Sequence, residues 1–558
     1  MRKHIVIVGG VAGGMSAATR LRRLDEEASI VVLERSGHVS FANCGLPYHL
    51  GGVIEERSAL LLQTPESLAA RFALDVRVHH EVVSVDRSAR TVTVRDLATG
   101  TTGELPYDAL VLSPGARPVL PPVPGLEVAH TLRDVEDLDR LVAATGGARS
   151  AVVVGGGFIG VEVAENLLRL GIAVTLVEAA GQVLAPLDPE MVQPLHDVLR
   201  EAGVDLALGA SVERVEPADG PGGEHAVHLS DGRVVPAEVV VAAVGVRPES
   251  GLAQAAGLDV GERGGILVDE SFRTSDPSIF AVGDAVEKTD GLDGSAVLVP
   301  LANTANRQGR VVADVIAGRP GRDRAVLGTA VVGVLGVAAA TVGWTEKRLR
   351  AAGRPHRVVH IHPGSHAGYY PGAHPLALKL LVDPATDEIL GAQAVGRDGA
   401  DKRIDVIATA MAGGLTASDL AELELAYAPQ FGSAKDPVNM LGWVARALAA
   451  GDVETLQWHE LDDALAAGAT LVDVRSPQEH ADRPLPGALK LPVDELRDRL
   501  AELPAGPLVV HCEVGLRGYV AARLLAQHGR EVRNLDGGYR TWRAGTAAVR
   551  GAEVSARA

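Results

Sequence analysis

Cysteine is nearly absent from this sequence, which has two among 558 residues, Cys44 and Cys512. Two cysteines cannot build a disulfide framework, and their scarcity fits a reducing cytosol. Positive charge is also in deficit, since 53 basic residues face 71 acidic ones and the formal net charge is −18. That balance argues against a general binder of nucleic acid or of anionic membranes. An anionic ligand therefore requires a local group of basic residues.

Apolar runs are mostly short and broken by glycine. The first residues, MRKHIVIVGG, contain too short an apolar stretch for a secretory signal. One uncharged segment, Ala325–Thr345, has about the length needed to cross a bilayer. Valine and threonine dominate it and glycines interrupt it, so we expect a pair of buried strands rather than a membrane span. The sequence thus predicts a soluble protein.

The length and composition predict a multidomain α/β protein. Hydrophobic residues make up 47% of the chain and charged residues 22%, which is typical of globular rather than disordered proteins. A chain this long exceeds the size of a single hydrophobic core, and about three or four domains are expected.

The first βαβ pattern begins near the amino terminus. His4 to Val8 is an apolar β run, GGVAGGMSAATRLRRL follows as a glycine turn that enters a helix, and SIVVLE is a second strand ending in Glu34. In a dinucleotide-binding unit, such glycines let the backbone approach a pyrophosphate, and the acid binds a ribose hydroxyl. Val11 replaces the middle glycine of the G-x-G-x-x-G pattern, so an ordinary packed turn remains an alternative.

A second βαβ pattern matches the motif fully. AVVVGGGFIGVEVAENLLRLGIAVTLVE has Gly155, Gly157 and Gly160 at the required spacing, followed by a helix and a strand that ends in Glu178. A carboxylate at that position accepts from a free ribose 2′-hydroxyl and repels a 2′-phosphate, which favours NAD over NADP. Two nucleotide motifs in one chain suggest a flavoprotein that receives electrons from a nicotinamide nucleotide.

Two further segments resemble the disulfide oxidoreductases that have two dinucleotide-binding domains. TSDPSIFAVGDAV resembles their second flavin motif, in which an aspartate, here Asp284, holds the flavin ribityl chain. LVLSPGARP, which contains Ser113 and Gly115, looks like the strand that closes their flavin domain. The resemblance implies that the chain binds FAD.

The stretch SFANCGLPY, residues 40–48, narrows the resemblance to one branch. A serine four residues before Cys44 and the following Gly-Leu-Pro-Tyr are similar to the active site of coenzyme A disulfide reductases and of related NADH oxidases and peroxidases, which use one redox cysteine. PLANTANRQGR, HAGYYPGAHPLALKLL and AYAPQFGSAKDPVNM match the same branch in collinear order. A lone cysteine is more often a small buried residue. Here the resemblance implies instead that Cys44 reacts with a sulfur atom brought by the substrate.

The last hundred residues resemble the rhodanese sulfurtransferases. TLVDVRSPQEH, LPGALKLPVDEL, PLVVHCEVGLRGYVAARLLAQHG and LDGGYRTW alternate short strands with helices, and Cys512 occupies a C-x-x-G-x-R loop that leads into a helix. Loop N–H groups and the positive helix end favour a thiolate or a persulfide there, and we expect Arg517 to help hold the anion. The chain has RPLPGA where the family usually has Gly-His-Ile before Pro-Gly-Ala.

The resulting fold prediction is an α/β chain with two Rossmann-like dinucleotide-binding domains, an α+β dimerisation domain and a C-terminal rhodanese-like α/β domain. We assign residues 1–115 and 270–322 to FAD binding and 116–269 to NAD binding. Residues 323–447 form the predicted dimerisation domain, 448–455 a linker, and 456–550 the rhodanese-like domain.

The glycine motifs and the resemblance together predict a set of residues that bind the two nucleotides. These are Gly9, Gly10, Ala12, Gly13, Gly14, Glu34, Arg35, Val82, Ser113, Gly115, Arg133, Gly155, Gly157, Ile159, Gly160, Glu162, Glu178, Gly245, Gly283, Asp284, Pro300, Leu301 and Ala302.

The resemblance also implies a coenzyme A site built from Ser16, Arg20, Arg23, Ser40, Asn43 and Lys435. The alternative for the basic residues of the first helix is an ordinary solvated face. Tyr369 and Tyr427 look like phenols that approach the redox cysteine from a partner subunit, although core or interface tyrosines are the alternative.

The function predicted from the sequence is an FAD-dependent oxidoreductase that uses NADH, with NADPH possible. It would reduce coenzyme A persulfide, polysulfide or coenzyme A disulfide through Cys44. The site is expected to depress the pKa of this thiol, through a charge-transfer contact with oxidised flavin. The rhodanese domain would handle sulfane sulfur from donors such as thiosulfate, or act as a carrier or regulator. An NADH oxidase or peroxidase with a cysteine sulfenic acid, and a redox-sensing flavoprotein, are the rival interpretations. A cytoplasmic homodimer without nucleic-acid or membrane partners is expected.

Overall fold

The structure is a computed structural model that describes residues 2–218, 220 and 223–557. Its strands are, in chain order, β1 (His4–Val8), β2 (Ser29–Leu33), β3 (Asp75–Arg77), β4 (His80–Asp86), β5 (Thr91–Asp96), β6 (Thr102–Pro106), β7 (Ala109–Leu112), β8 (Ala116–Pro118), β9 (Ser150–Val154), β10 (Ala173–Glu178), β11 (Asp205–Leu208), β12 (Val212–Glu216), β13 (His225–Leu229), β14 (Val234–Ala237), β15 (Val239–Ala242), β16 (Val246–Pro248), β17 (Ile279–Ala281), β18 (Lys288–Thr289), β19 (Ala296–Val297), β20 (Ala330–Val334), β21 (Val337–Gly343), β22 (Arg357–Ile361), β23 (Leu376–Val382), β24 (Ile389–Gly396), β25 (Glu454–Leu456), β26 (Thr470–Asp473), β27 (Leu489–Lys490), β28 (Leu508–His511) and β29 (Val532–Leu535).

The helices are α1 (Ala12–Arg22), α2 (Leu46–Leu50), α3 (Pro65–Phe72), α4 (Val135–Thr145), α5 (Phe158–Arg169), α6 (Pro189–Glu201), α7 (Gly251–Ala255), α8 (Ala302–Ile316), α9 (Glu346–Ala351), α10 (Ala400–Gly413), α11 (Pro437–Ala449), α12 (Leu461–Ala466), α13 (Pro477–Asp482), α14 (Leu516–Gln527) and α15 (Gly538–Arg557).

The chain divides into two compact units, each described by itself. The first contains the chain up to Val177 and Ser211–Val326, and the second contains Glu178–Ala210 and Leu327–Ala558. Both units contain parallel sheets built from βα alternation, as the sequence predicts for dinucleotide-binding and rhodanese-like folds.

The first unit contains the sheet of the first βαβ pattern and the strands β9 and β15 of the second. A five-stranded sheet has the order β17-β7-β1-β2-β3, and its strand pairs are parallel. A second parallel sheet places β9 between β10 and β15. The central strands β1, β2 and β7 are near-continuous apolar runs because both of their faces are buried. One face packs against residues of α1 and α8, and the other packs against residues of β4 and β5. Ligands of such folds bind at the carboxyl ends of the strands, where the glycine loops follow.

The second unit contains an antiparallel sheet and a parallel one. The antiparallel sheet has the order β20-β21-β24-β23-β22, and α10 and α11 contribute to its core. The parallel sheet of the carboxyl-terminal region has the order β25-β29-β28-β26-β27. This is the α+β domain followed by a rhodanese-like α/β domain that the sequence predicts.

The uncharged segment Ala325–Thr345 forms strands, as expected from its valine, threonine and glycine content. It folds into β20 and β21, which pair as an antiparallel hairpin. Leu335 and Gly336 make the turn with positive φ values of 50° and 78°. Among the described residues, no helix is long and apolar enough to cross a membrane.

The predicted linker 448–455 overlaps regular structure at both ends. Helix α11 ends at Ala449 and β25 begins at Glu454, so only residues 450–453 lie between them. Leu448 packs against the core of the antiparallel sheet and also against the core of the rhodanese-like region. The two regions therefore share apolar contacts around the end of α11.

A buried ionic cluster, formed by Asp188, Glu190, Glu346 and Lys379, joins three segments of the second unit. The ammonium of Lys379 lies 3.0 Å from Asp188 Oδ2 and 2.5 Å from Glu346 Oε2, and it also contacts Glu190. All four side chains are at most 8% exposed. Burial would lower the pKa of Lys379, but the three carboxylates outweigh it and raise that pKa.

We expect Lys379→Met to destabilise the protein strongly. The substitution leaves three buried carboxylates without their cation, and removal of one partner from such a group costs about 3–5 kcal/mol. The free energy of unfolding, measured by reversible urea denaturation, is the test. Lys402→Met is the matched control, because Lys402 is 36% exposed and lies 3.8 Å from Asp436. Equal small losses in both variants would show that the carboxylates do not depend on Lys379.

Candidate functional site

The first glycine loop is shaped for a ligand at the amino end of α1. Gly9 has a φ of 98°, and a Cβ there would lie 2.0 Å from the Ser113 carbonyl oxygen. A Cβ on Gly14 would lie 1.9 Å from the Gly9 carbonyl oxygen. Val11 precedes α1 and caps no amide with its side chain. The first amides of the helix therefore remain available to an anion.

Glu34 follows β2 and faces the same loop. Its Oε2 accepts a hydrogen bond of 2.7 Å from the Gly10 amide, and its Oε1 accepts one of 3.0 Å from the Ser36 amide. These bonds fix the carboxylate at the strand end, where the βαβ motif places a ribose.

Asp284 is the residue most clearly prepared for a hydroxyl-rich ligand. Its Oδ1 is buried and has no hydrogen-bond partner within the polypeptide. Burial raises the pKa of its carboxyl group, against the opposing effects of Lys288 and Arg133. A buried acceptor without a partner is costly unless a ligand donates to it. The ribityl chain of FAD carries such donors, so the residues present fit this cofactor.

The structure also shows where the other residues predicted to contact FAD lie. Ser113, Gly115 and Gly283 follow β7 and β17, and a Cβ on Gly13 would lie 2.8 Å from Ser113 Oγ. Arg133 donates a hydrogen bond of 3.0 Å to the Pro114 carbonyl, and burial lowers its pKa. The other positions are Ala12 in the first turn of α1, Arg35 at 3.7 Å from Glu249, Val82 in β4, and Pro300, Leu301 and Ala302 at the start of α8.

Cys44 lies in a single 3₁₀ turn, Asn43–Gly45, that leads directly into α2. Its side chain is exposed. Ser40 adopts a positive φ of 48°, and its amide donates a hydrogen bond of 2.8 Å to the Gly10 carbonyl. Asn43 donates a longer one of 3.3 Å to the Arg133 carbonyl. These contacts tie the cysteine turn to the first glycine loop.

The electrostatic environment of Cys44 differs from the sequence-based expectation. The polypeptide raises the thiol pKa, first by desolvation and then through the negative charges of Glu162 and Asp284. A depressed pKa is expected for the site in which oxidised flavin contacts the thiol, and the raised pKa is the effect of the polypeptide alone. Residues distant in sequence cause the opposite direction, because the fold brings a carboxylate from α5 and another from the loop after β17 toward the thiol.

Glu162 and Tyr48 form a pair beside this cysteine. The Tyr48 hydroxyl donates a hydrogen bond of 3.0 Å to Glu162 Oε1. Burial raises the pKa of Glu162, and burial together with Glu162 raises the pKa of Tyr48. Tyr48 was not among the predicted site residues, although it closes the stretch SFANCGLPY. Its position four residues after Cys44, on the short helix α2, is the signal that identifies it.

The three glycines of the second glycine loop meet the requirements of the motif for a tight turn, an open backbone and close packing. Gly155 has a φ of 107°, and a Cβ on Gly160 would lie 1.9 Å from the Gly155 carbonyl oxygen. A Cβ on Gly157 would meet no atom within 4 Å, so the backbone there is open to a ligand. Gly245, with a φ of 115°, is equally open, and Ile159 is 36% exposed. This loop fits a nucleotide pyrophosphate.

Glu178 is the last residue of β10. Its Oε1 accepts a hydrogen bond of 2.8 Å from the Ala180 amide. The side chain therefore has a defined position at the strand end.

The candidates for coenzyme A contact are partly engaged with protein groups. Arg20 forms an ion pair of 2.8 Å with Asp314, and Ser16 Oγ donates a hydrogen bond of 2.5 Å to Asn306. Arg23 follows α1 with its guanidinium 6.0 Å from the Phe72 ring. Lys435 lies in the second unit, just before α11. Arg20 would have to exchange or share Asp314 to bind a phosphate.

Tyr369 and Tyr427 are brought together by the fold. Their hydroxyl oxygens are 2.7 Å apart, and the side chains are 76% and 48% exposed. The hydrogen bond between the two hydroxyl groups raises the pKa of Tyr427. These are not core tyrosines, since a pair of exposed phenols faces away from the protein interior.

Cys512 directly follows the buried strand β28 and begins a loop that leads into α14. Its side chain is fully buried, and the Gly515 amide donates a hydrogen bond of 3.2 Å to its sulfur. Arg517 forms a two-armed ion pair with Glu479, at 2.7 and 2.6 Å, and Glu479 raises its pKa. The guanidinium is thus held by Glu479 at the end of the loop, a partner that the sequence did not reveal.

Comparison with protein families assigns all three regions of the chain. Residues 3–309 match the pyridine nucleotide-disulphide oxidoreductase family. Residues 325–437 match the dimerisation domain of pyridine nucleotide-disulphide oxidoreductases, and residues 457–545 match the rhodanese-like domain.

Individual relatives cover most or all of the chain. A coenzyme A disulfide reductase of Staphylococcus aureus is 35% identical over 448 residues, which are 79% of this chain and 99% of that protein. The crystal structure of reduced CoADR-RHD from Bacillus anthracis has a TM-score of 0.95 and 47% identity, and covers 98% of this chain and 99% of its own. A NAD-dependent persulfide reductase from A. fulgidus has a TM-score of 0.91 and 38% identity, and covers 97% of this chain and 100% of its own.

Proposed function

The chain belongs to the pyridine nucleotide-disulphide oxidoreductase family, and from this we propose that it uses NADH to reduce coenzyme A persulfide, polysulfide or coenzyme A disulfide through Cys44. For the persulfide, the balanced reaction is CoA–SSH + NADH + H⁺ → CoA–SH + H₂S + NAD⁺. For the disulfide, it is CoA–S–S–CoA + NADH + H⁺ → 2 CoA–SH + NAD⁺. Its relatives include a coenzyme A disulfide reductase and a persulfide reductase, which supports this substrate class.

One observation carries the proposal most directly. Cys44 is exposed, while Asp284 from the predicted flavin site and Glu162 from the predicted nicotinamide site are close enough to act on its pKa. A thiol in that position is accessible to a sulfur substrate and adjacent to both nucleotide motifs. In the proposed reaction, the Cys44 thiolate attacks a substrate sulfur, forms a disulfide or persulfide with it and releases the other sulfur group.

The protein residues hold the reactants and handle the protons. Bound FAD supplies the redox group that accepts hydride from NADH. Asp284 would accept from its ribityl hydroxyls, and the two glycine loops would receive the pyrophosphates of the two nucleotides. Burial raises the pKa of Glu162, which favours its protonated form. Protonation of Glu162 removes a negative charge that disfavours the thiolate.

The rhodanese-like domain would supply sulfane sulfur. The Cys512 thiolate attacks the outer sulfur of thiosulfate, a Cys512 persulfide forms, and sulfite leaves with the electron pair of the broken S–S bond. The Gly515 amide, which points at the Cys512 sulfur, stabilises the anion. We propose a homodimer in which Tyr369 and Tyr427 face the partner's Cys44 region.

Anaerobic NADH oxidation separates this function from its rivals. Full-length holoprotein is supplied with coenzyme A persulfide, coenzyme A disulfide or polysulfide, and NAD⁺ is measured with H₂S or thiol release. A stoichiometric sulfur product supports the proposal. Rapid NADH oxidation only with oxygen or peroxide would assign the chain to the oxidase or peroxidase class, and slow turnover with every acceptor would favour a sensor.

We expect NADH to be preferred over NADPH. Glu178 ends β10, and a charged hydrogen bond to a ribose hydroxyl is worth about 1.5–3 kcal/mol, or roughly tenfold to a hundredfold in kcat/KM. Glu178→Ala should reduce the preference, whereas Glu201→Ala, at an exposed position at the end of α6, should leave it unchanged. Steady-state kinetics with both nucleotides at one fixed acceptor give the ratio. A clear preference of the unmodified protein for NADPH would refute the role of Glu178.

A further inference from the structure

The imidazole of His360, on β22, lies between two buried carboxylates. Its Nδ1 is 2.8 Å from Asp536 Oδ2, and its Nε2 is 3.2 Å from Glu190 Oε1. The His360 side chain is 1% exposed, and those of Glu190 and Asp536 are 3% and 4% exposed. A neutral imidazole carries one N–H and can donate to one of these oxygens, whereas an imidazolium donates to both. The geometry therefore fits the protonated ring.

The carboxylate of Asp536 accepts hydrogen bonds from other groups besides the His360 imidazole. Its Oδ2 also accepts from the His360 backbone amide at 3.0 Å and from Gln457 Nε2 at 3.2 Å. The amide of Asp536 in turn donates to the Leu456 carbonyl at 2.9 Å. One carboxylate of the rhodanese-like domain is thus fixed to a strand of the antiparallel sheet.

The residues after Asp536 pack directly against the loop that begins at Cys512. The Tyr539 amide donates a hydrogen bond of 2.8 Å to the Cys512 carbonyl. Gly538 has a φ of 64°, and a Cβ there would lie 2.5 Å from the same carbonyl oxygen and 2.7 Å from the Gly515 nitrogen. The Gly515 amide is the group that donates to the Cys512 sulfur. Displacement of residues 536–539 would therefore shift the loop that holds the reactive sulfur.

His360 also packs directly on this segment. A Cβ on Gly537 would lie 2.9 Å from the His360 Cβ and 2.0 Å from Thr541 Oγ1. Directly after β22 ends, His362 Nε2 is 2.7 Å from Thr541 Oγ1. Both histidines contact the same short segment, but only His360 faces carboxylates.

We propose that His360 is a positioning residue for the Cys512 loop: as an imidazolium it bridges Asp536 and Glu190, and this bridge holds residues 536–539 in the arrangement that sulfur transfer at Cys512 requires. The proposal rests on the sulfurtransferase role given to Cys512 in the proposed function. It adds that the rhodanese-like domain works as a fixed extension of the antiparallel sheet and that its activity depends on the protonation of one buried histidine outside it.

Several charged groups face His360, and together they set the pH range in which its ring is protonated. Burial lowers its pKa, but the hydrogen bonds to Asp536 and Glu190 outweigh burial and raise the pKa to about 9, while Lys379 on β23 opposes them. His362, which follows the same strand, has a pKa well below its ordinary value because of burial, with Arg540 and His360 adding to the effect. His362 is therefore neutral where His360 is charged. The bridge is complete below the ordinary histidine pKa and is lost as the pH rises through about 9.

The test measures sulfur loading of Cys512 directly. Full-length Cys44→Ser holoprotein, in which Cys512 is the remaining thiol, is mixed with thiosulfate, and the rate of sulfite release is followed from pH 7 to 10. A thiolate nucleophile alone gives a rate that rises or stays level with pH. We expect instead a fall of about fivefold or more above pH 9. His360→Gln should be about tenfold slower at pH 7.5, because small displacements of reacting groups are costly, and should lack the alkaline fall.

Matched variants separate positioning from simple destabilisation. His362→Gln removes a partly buried histidine that directly follows the same strand, and it should keep the alkaline fall even if its rate at neutral pH is reduced. Asp536→Asn should reproduce His360→Gln, and the double variant should be no slower than Asp536→Asn alone. An alkaline fall that persists in His360→Gln, or that disappears in His362→Gln, would overturn the proposal.

Amide hydrogen exchange tests the bridge without any sulfur chemistry. At neutral pD, we expect His360→Gln to lose about tenfold or more of the protection of the Gly515 and Tyr539 amides, and His362→Gln to retain it. Equal protection in the two variants would overturn the bridge. Absence of sulfite release from every protein at every pH would refute the sulfurtransferase part of the proposed function, and the exchange result would still decide whether His360 orders the loop.

Discussion

Cys44→Ser is expected to abolish the reduction of coenzyme A persulfide, coenzyme A disulfide and polysulfide, with a loss of about 10⁴-fold or more in kcat/KM, as for removal of a catalytic nucleophile. The serine hydroxyl is nearly the same size but remains protonated at neutral pH, so it cannot attack a sulfur–sulfur bond. Because Cys44 is exposed on a short turn, the substitution should not disturb the core.

The same variant should retain FAD and the first half of the reaction. The residues that fit the flavin, among them Gly9, Gly14 and Asp284, are unchanged. Anaerobic mixing with NADH should therefore bleach the flavin absorbance in the variant as in the unmodified protein. Stopped-flow absorbance gives this control, and steady-state NAD⁺ formation gives the loss. Sulfur-dependent turnover near the original rate would show that the mechanism does not pass through Cys44.

The second large effect concerns Cys512. Cys512→Ser should reduce the rate of sulfite release from thiosulfate by about 10⁴-fold or more, since no thiolate remains to accept the sulfane sulfur. NADH oxidation with thiosulfate as the donor should fall with it. Reduction of preformed coenzyme A persulfide should change by less than about twofold, because that substrate can reach Cys44 without loading at Cys512.

Both substrates are measured on this one variant. Equal activity on both donors would leave the rhodanese-like domain without a role in this chemistry, and equal loss on both would place Cys512 in the reductive step. A truncation near Gly451 would remove the rhodanese-like domain, but it would also disturb the part of the protein that remains. It would expose Leu448, which packs in the rhodanese-like core, and would remove Asp536 from His360. The serine variant keeps both contacts.

Patterns that are local in sequence were readable before the fold was known. The periodicity of residues 4–34 and 151–178 predicts strand, glycine turn, helix and strand, and the structure has them in that order. The glycine content of Ala325–Thr345 correctly favours strands over a span. Such features depend on a few adjacent residues, because steric limits on φ and ψ and the side-chain period act over that range.

The charge state of Cys44 was not readable in this way. The reaction requires a depressed pKa, which contact with oxidised flavin would supply, whereas the polypeptide alone raises it through partial desolvation and the charges of Glu162 and Asp284. Glu162 lies on α5 and Asp284 follows β17, and each comes near Cys44 only through the packing of separate βαβ units. A pKa responds to every charge and every low-dielectric neighbour within several ångströms, so it is a property of the assembled site rather than of a motif.

The sequence by itself therefore determined the family and the two nucleotide motifs, and it singled out the two cysteines that we propose to be reactive, because each is a short pattern with a steric or chemical requirement. The tertiary structure alone decided which charges meet. The ammonium of Lys379 contacts Asp188 and Glu190, which are far from it in sequence. The imidazole of His360 contacts Asp536, which is 176 residues away along the chain. Nothing near His360 in sequence distinguishes it from any other histidine on a buried strand. Its role arises because desolvation makes a buried charge depend on its partners, and the fold selects those partners from distant segments.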